Sequence, residues 1–486
     1  MKKVLIVKYF NGGISDSEKE GVRGSFYFAK RLDIFSDPSQ ISLLQKTTKD
    51  SGSTVINFVK WIISGVPYDT NTYFYDNVGH IYSRSSAGTW SLLRSVSEST
   101  GPGMELLNDY LYYTQNTQIG RYGPLSTSPT FTDAWQTGLN SSAATRIAPI
   151  KQFKEGLAVG HGNYIGWWDG SVWDGDRLIL PTGFNVRSLD VIDEYLVIGA
   201  WQGTATDNVI TNANLGIIFF WNGTSSTYDY FYYVPDGVPN ALMNAKNQLL
   251  SIVGNAGNIY LGTSPFQNVH KIPKIDKSKY LDVAPGALTS WKNKILIGIS
   301  ISTDSTDSVQ GVYQWGAKST RYPEVLNYGW TISTGTENGT GIAIGATKAI
   351  GDSLYIGWSD TSDPGTYGVD RVTSSSAPFA SGIYESLIFD DGRDGKDKLA
   401  IRLVCRHKAL ASGESIQLGY KIDRDTSYTT GTVNSTVESK ETTLPIPGRF
   451  KEFQFEVILA TSGSTSPTVT SISFEYDTLE EEGLYA

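Results

Sequence analysis

The chain has 486 residues with 40 Lys and Arg against 49 Asp and Glu, a formal charge of −9, and only 18% of its residues are charged, against about 25% in an average globular chain. With no Lys/Arg block, this acidic balance excludes a duplex nucleic-acid binder, which needs a basic patch for phosphates. The 12 Trp, 28 Tyr, 19 Phe and 50 Gly exclude a disordered chain and predict an all-β protein rich in tight turns.

In chain order, the apolar run within Met1–Tyr9 is broken by Lys8, short of the roughly 7–15 residues of a signal peptide. No stretch reaches the ~20 apolar residues of a membrane span. The reading at this point is a protein made in the cytoplasm, without a classical export signal or membrane insertion. The segment 24–54 supplies one or two strands and a Pro-containing turn. It, or the stretch near Ile383–Phe389, is expected to complete the first or last unit of the repeat that follows. Ser53–Ser64 has helix-like spacing, but its β-branched residues favour a strand.

A strand-like element then recurs: a polar turn residue, an apolar run and often a glycine. Its copies are Asn71–Tyr75, Asp109–Tyr113, Glu155–Gly160, Glu194–Gly199, Asn247–Ser251, Asn293–Gly298 and Asp352–Gly357. Each is followed by an aromatic-rich partner: Gly79–Tyr82, Gln118–Tyr122, Asn163–Trp168, Gly216–Trp221, Gly257–Tyr260, Gly311–Trp315 and Tyr367–Val372. The spacing of roughly 40–60 residues suits propeller blades. Continuous apolar runs are what strands buried on both faces carry, and a strand-end glycine permits close backbone approach. The pattern predicts a β-propeller of about seven blades over residues 45–381, six or eight also fitting the spacing. Polar excursions at Thr204–Asn214 and Ser302–Gln310 are expected to project from one face as contact loops.

Texture changes near Ser381. Residues 390–397 form a dense charge cluster, and alternating strands follow at Leu399–Arg406, Ser415–Asp423, Phe450–Leu459 and Thr468–Tyr476. Period-two alternation between regular turns predicts a β-sandwich over 382–478. The expected organisation is an N-terminal lead-in (1–44), the propeller (45–381), the sandwich (382–478) and an acidic tail (479–486).

Candidate chemistry is sparse. Cys405 lies in an apolar strand and reads as a buried thiol. His80, His161, His270 and His407 are scattered, with no H-E-x-x-H or H-x-H spacing. Ser83–Trp90 approaches the Asp-box turn of sialidases but lacks its aspartate, and reads as a hairpin. Asp190, Asp193 and Glu194 fall at repeat turns, where a structural role is expected rather than the paired carboxylates of a glycosidase. The 390–397 cluster has Gly392 and Ile401 where a calcium loop needs ligands, and reads as a solvated turn. Trp167, Trp168, Trp173, Trp201 and Trp221 sit at or beside the repeat's aromatic positions, so blade packing is expected before sugar stacking. No catalytic, metal-binding or cofactor-binding residue is assigned, and no cofactor is expected.

The C-terminal strands combine K-L-A-I-R-L at Lys398–Leu403, Gly413–Asp423, Phe450–Val457 and Ser466–Tyr476, and the opening has Leu32–Pro38. Together they resemble the β-sandwich ends of tailed-bacteriophage structural proteins, often joined to a β-propeller. The resemblance implies a virion component of the tail, tail tip or fibre, assembled in the host cytoplasm and released by lysis. It implies a non-enzymatic structural subunit, partnered by other virion proteins, by copies of itself and by a host surface glycan or protein. Receptor binding as the main role, and a propeller-type glycosidase, are the two alternatives.

Overall fold

The computed structural model describes residues 2–15, 17–96, 103–140, 148–206, 209–234, 237–245, 248–253, 258–261, 267–270, 281–301, 310–316, 325–333, 341–360, 366–392 and 395–478. Every regular element among them is a strand. The chain divides into two compact units: Thr48–Val312 with Ile332–Val372, and Met1–Thr47 with Tyr313–Thr331 and Thr373–Ala486. The grouping differs from the boundaries expected at 44/45 and 381/382, because residues 1–47 and 313–331 fall with the C-terminal strands.

The first unit is a β-propeller. Antiparallel four-stranded sheets begin at Val59–Ser64, Met104–Leu107, Ile150–Phe153, Phe184–Ile192, Pro239–Ala245 and Ile342–Ile350. A further sheet has its innermost edge in two pieces, Leu281–Asp282 and Leu288–Trp291, both paired with Lys294–Ile301. The first strands of consecutive sheets touch in chain order, and the last, Ile342–Ile350, touches the first, Val59–Ser64. This contact closes a ring of seven.

The recurring strands of the sequence are the second strands of these sheets, one step out from the channel. Gly156–His161 and Ser353–Asp360 are buried at every position. Because side chains alternate along a strand, each such strand serves two cores at once. Leu196, Ile198 and Ala200 pack toward the preceding sheet, whereas Val197 packs toward the following one. Tyr112 and its neighbours Leu111 and Tyr113 divide in the same way. The strand-end glycines seat the next sheet's innermost strand: a Cβ on Gly160 would lie 2.4 Å from Val186, and one on Gly357 2.9 Å from the Val59 carbonyl oxygen.

Ring closure comes from the chain ahead of the first sheet. Thr48 and Lys49 pair with Arg371 and Asp370, adding the outer strand to the last sheet. Asp50 then takes Arg84 Nη2 at 3.1 Å and the Trp90 indole N–H at 2.9 Å, both from the first sheet. Phe74 of the first sheet meets Tyr355 of the last edge-on, with centroids 5.8 Å apart. The expectation that the 24–54 segment completes a terminal blade holds for Thr48–Lys49. Ile383–Glu385 instead pairs with Phe28–Lys30 in the other unit. The Thr204–Asn214 excursion, expected as a loop, extends a hairpin: Thr204 pairs with Asn212 and Thr206 with Val209. Residues 302–309 lie outside the described residues.

The second unit has two larger sheets, beside the small pairings of Gly13–Ile14 with Ser25–Phe26 and of Leu32–Asp33 with Ser42–Leu43. One orders Lys2–Val7, Val469–Thr478, Lys398–His407 and Glu441–Pro445. The other places Phe28–Lys30, Ser381–Glu385, Phe453–Thr461 and Glu414–Ile422 side by side. Phe453 of the second sheet stacks on Phe474 of the first, 3.6 Å between centroids, flanked by Phe450 and Tyr476. Thus the alternating strands read from the sequence are present, joined by strands from the chain's first thirty residues. Within the second sheet Glu385 and Glu456 are direct cross-strand partners. Burial, then the Glu385 charge, pushes the Glu456 carboxyl up to about 7.

Two outcomes follow for stability. Asp50→Asn leaves the Arg84 guanidinium buried without its carboxylate and is expected to cost about 3 kcal/mol, read as a lower urea midpoint. For Glu456 the folded-state value lies above the ordinary 4.5, so its contribution is complete below about 4.5 and is lost as pH rises to about 7. Glu456→Gln should therefore be more stable than wild type at pH 8 and should flatten the loss between pH 5 and 7. Parallel stability–pH curves for the two proteins would contradict this.

Candidate functional site

The innermost strands of all seven propeller sheets converge on one cavity of about 550 Å³. Each of those strands presents side chains to the channel, so their polar residues meet although they are far apart in sequence. The second sheet contributes Glu105, the third Lys151, the fourth Asp190, the fifth Asn244, the sixth Thr289 and Ser290, and the last Thr347 and Lys348. The first sheet contributes Trp61, the one aromatic among the described lining residues. Around the ring the charges alternate in sign: Lys348, Glu105, Lys151, Asp190.

Asp190 is held on both oxygens. Lys151 Nζ lies 2.8 Å from Oδ1, and the Asn244 backbone N–H donates to Oδ2 at 2.5 Å. Asn244 Nδ2 also donates to the Val191 carbonyl, fixing the fourth sheet to the fifth. Burial opposes the Lys151 charge, but Asp190, then Glu105, outweigh it and raise its pKa. Lys348 goes the other way: burial lowers its pKa, Glu105 opposes that shift and Lys151 adds to it. The Thr347 hydroxyl is buried without a hydrogen-bond partner among the described residues.

The residues singled out from the sequence disperse. Asp190 is not at a turn but on a channel-lining strand, because the repeat turn begins three residues later; Asp193 takes the left-handed conformation there, φ 51°. His161 is buried, accepts the Asn140 N–H on Nδ1 at 2.8 Å and donates from Nε2 to the Gly175 carbonyl at 2.9 Å. Burial lowers its pKa, consistent with a neutral ring. His80 joins Asp76 at 2.8 Å in a hairpin turn that also binds the Tyr82 hydroxyl. His407 bonds Thr442 in the other unit, and His270 ends the strand Gln267–His270. Cys405 is fully buried, and burial pushes its thiol pKa up.

Ser83–Trp90 is a hairpin turn, with the Ser85 N–H donating to the Thr89 carbonyl at 2.9 Å. Its missing aspartate is supplied by Asp50, which the Trp90 indole reaches. Within the 390–397 cluster, cations of the chain itself take the carboxylates: Lys3 on Asp391 at 2.8 Å, Lys19 on Asp390 at 3.5 Å and Arg449 on Asp397 at 3.9 Å. Among the tryptophans, Trp201 and Trp221 are fully buried, Trp167 meets Trp221 edge-on and Trp168 meets Trp135. They pack between or within sheets and form no shared exposed platform. Exposed aromatics lie elsewhere, on the fourth sheet's outer strand Tyr230–Val234, where Tyr230, Phe231 and Tyr233 are 36%, 38% and 62% exposed.

The channel residues escaped sequence reasoning because their strands carry no shared motif. Lys151 lies in Ile150-Lys151-Gln152 and Lys348 in Thr347-Lys348-Ala349, two contexts with no residue type in common beyond the lysine. The one available signal was position: each lies a few residues ahead of a recurring strand.

No protein-family model matches the chain, and no curated protein matches its sequence. Among solved structures it is similar to the extracellular domain of a hybrid two-component system from B. thetaiotaomicron, at 12% identity and a TM-score of 0.46. That match covers 76% of this chain, which spans 44% of the length of the other. An exo-β-1,3-galactanase from Phanerochaete chrysosporium aligns at 9% identity over 88% of this chain and 98% of its own, TM-score 0.30. A gluconolactonase aligns at 11% identity over 68% and 92% respectively, TM-score 0.36. Likenesses this distant carry no functional argument.

Removing one partner of the channel ion pair tests its weight. The Lys151 side chain keeps 35% exposure, so Asp190→Ala is expected to cost about 1–2 kcal/mol rather than the ~3–5 of a fully buried pair. Most of the loss should persist at 1 M NaCl, which screens exposed pairs far more than partly buried ones; a loss abolished by salt would show that the pair lies in open solvent.

Proposed function

We propose that this chain is a non-enzymatic structural and attachment subunit of a tailed-phage particle, its propeller serving as a rigid contact module. The observation that carries the non-enzymatic reading is the state of Asp190. Glycoside hydrolysis needs one carboxyl group to give a proton and another to attack or to activate water. Asp190 has one oxygen on an ammonium and the other on a backbone amide, so both of the oxygens that such chemistry would use are already engaged. The Lys151–Asp190 pair is a fixed contact between two sheets, as in a site that holds rather than transforms.

Attachment is supported by the outer strand Tyr230–Val234. A sheet edge with exposed backbone groups and exposed tyrosines is a surface that interfaces favour. The particle assignment is supported by the C-terminal segments that resemble tailed-phage structural proteins.

The test is biochemical. Density-purified particles are expected to contain the chain in fixed stoichiometry to the major tail protein, and antibody against it to decorate their surface. Its absence from intact particles, or hydrolysis of a polysaccharide abolished by Asp190→Asn, would overturn the proposal.

A further inference from the structure

The four channel charges are not equivalent. Lys151 and Asp190 belong to adjacent sheets, and their side chains meet directly. Lys348 and Glu105 lie on the last and second sheets, with the first sheet's inner strand and its Trp61 between them. Neither forms an ion pair with any described residue, although each feels the other's charge. Glu105 Oε1 accepts only the N–H of the next residue, Leu106, at 3.3 Å. An ammonium and a carboxylate set into a partly enclosed cavity without direct partners are costly.

From this placement the geometry points to the propeller channel as a binding site for a small zwitterion, its carboxylate on Lys348, its ammonium on Glu105 and its body over the first sheet's inner strand at Trp61. A zwitterion answers both charges and leaves the cavity's net charge unchanged. A simple anion would meet Lys348 but add negative charge beside Glu105 and Asp190, and a simple cation would do the reverse. Trp61 is the one aromatic among the described lining residues, and an aromatic face favours an ammonium group. The cavity, at about 550 Å³, is within the usual range of small-molecule sites. Burial weakens the Lys348 charge in the free protein, and an arriving carboxylate would restore it. The inference goes beyond the proposed function and stands whether or not the chain is carried on a particle.

Calorimetric titration of the full chain with glycine, γ-aminobutyrate and diglycine varies the distance between the two charges and separates a free amino acid from a short peptide as the source. At least one is expected to bind, and its amide-blocked and N-acetylated forms to bind at least tenfold more weakly. Lys348→Met should abolish the penalty for blocking the carboxylate while preserving that for blocking the amine, and Glu105→Gln should do the converse. Thermal unfolding of each variant reports whether it is folded, and ligand-induced broadening of channel methyl resonances provides a second readout. Absence of binding by all three zwitterions to the folded wild-type chain would overturn the inference, as would equal binding of blocked and unblocked forms. Neither result would bear on the presence of the chain in particles.

Discussion

The structure depends on how closely one sheet can approach the next. The second strand of each propeller sheet is walled in on both faces, so it has no solvent side on which to place a polar residue or absorb a misfit. At Gly160 and Gly357 the neighbouring sheet arrives within the space a methyl group would need. Such contact is favourable only if the facing strands are apolar and the approach is unobstructed. That condition selects the run of aliphatic and aromatic residues ending in glycine, and the selection repeats because the packing problem repeats.

For that reason the propeller was legible from sequence. The recurring apolar runs and their aromatic partners fall on the second and third strands of the sheets, and their number matches the ring. The innermost strands were not legible. Met104–Leu107 and Ile150–Phe153 are four residues long, with one side lining a cavity and no repeated residue type. Asp190 shows the consequence: its neighbours Asp193 and Glu194 mark a turn, and nothing local indicates that it meets Lys151 of another sheet. Strand pairings between distant segments, such as Lys2–Val7 with Val469–Thr478, were likewise invisible to a reading based on local periodicity.

The channel and the outer strand divide the propeller's polar and apolar functions. Charge is placed at the centre, where seven strands hold it and where each pair is worth more than it would be in open water. Exposed aromatic surface is placed at the rim, on Tyr230–Val234. Glu456 in the other unit follows a different logic: burial and its cross-strand twin hold its carboxyl well above the usual carboxylate range, where elsewhere in the chain carboxylates such as Glu475, between Lys2 and Arg402, are held ionised by neighbouring cations.

The Asp50 latch joins segments that leave the ribosome far apart in time. Thr48 and Lys49 must wait for Asp370 and Arg371 before they have a strand to pair with, while Arg84 and Trp90 are available almost at once. A nascent chain can therefore assemble the early sheets and anchor Asp50 to them, yet the circle stays open until some three hundred further residues have been made. A cell that degrades a stalled or truncated chain would meet it as an arc with two raw ends, not as a slightly smaller disc.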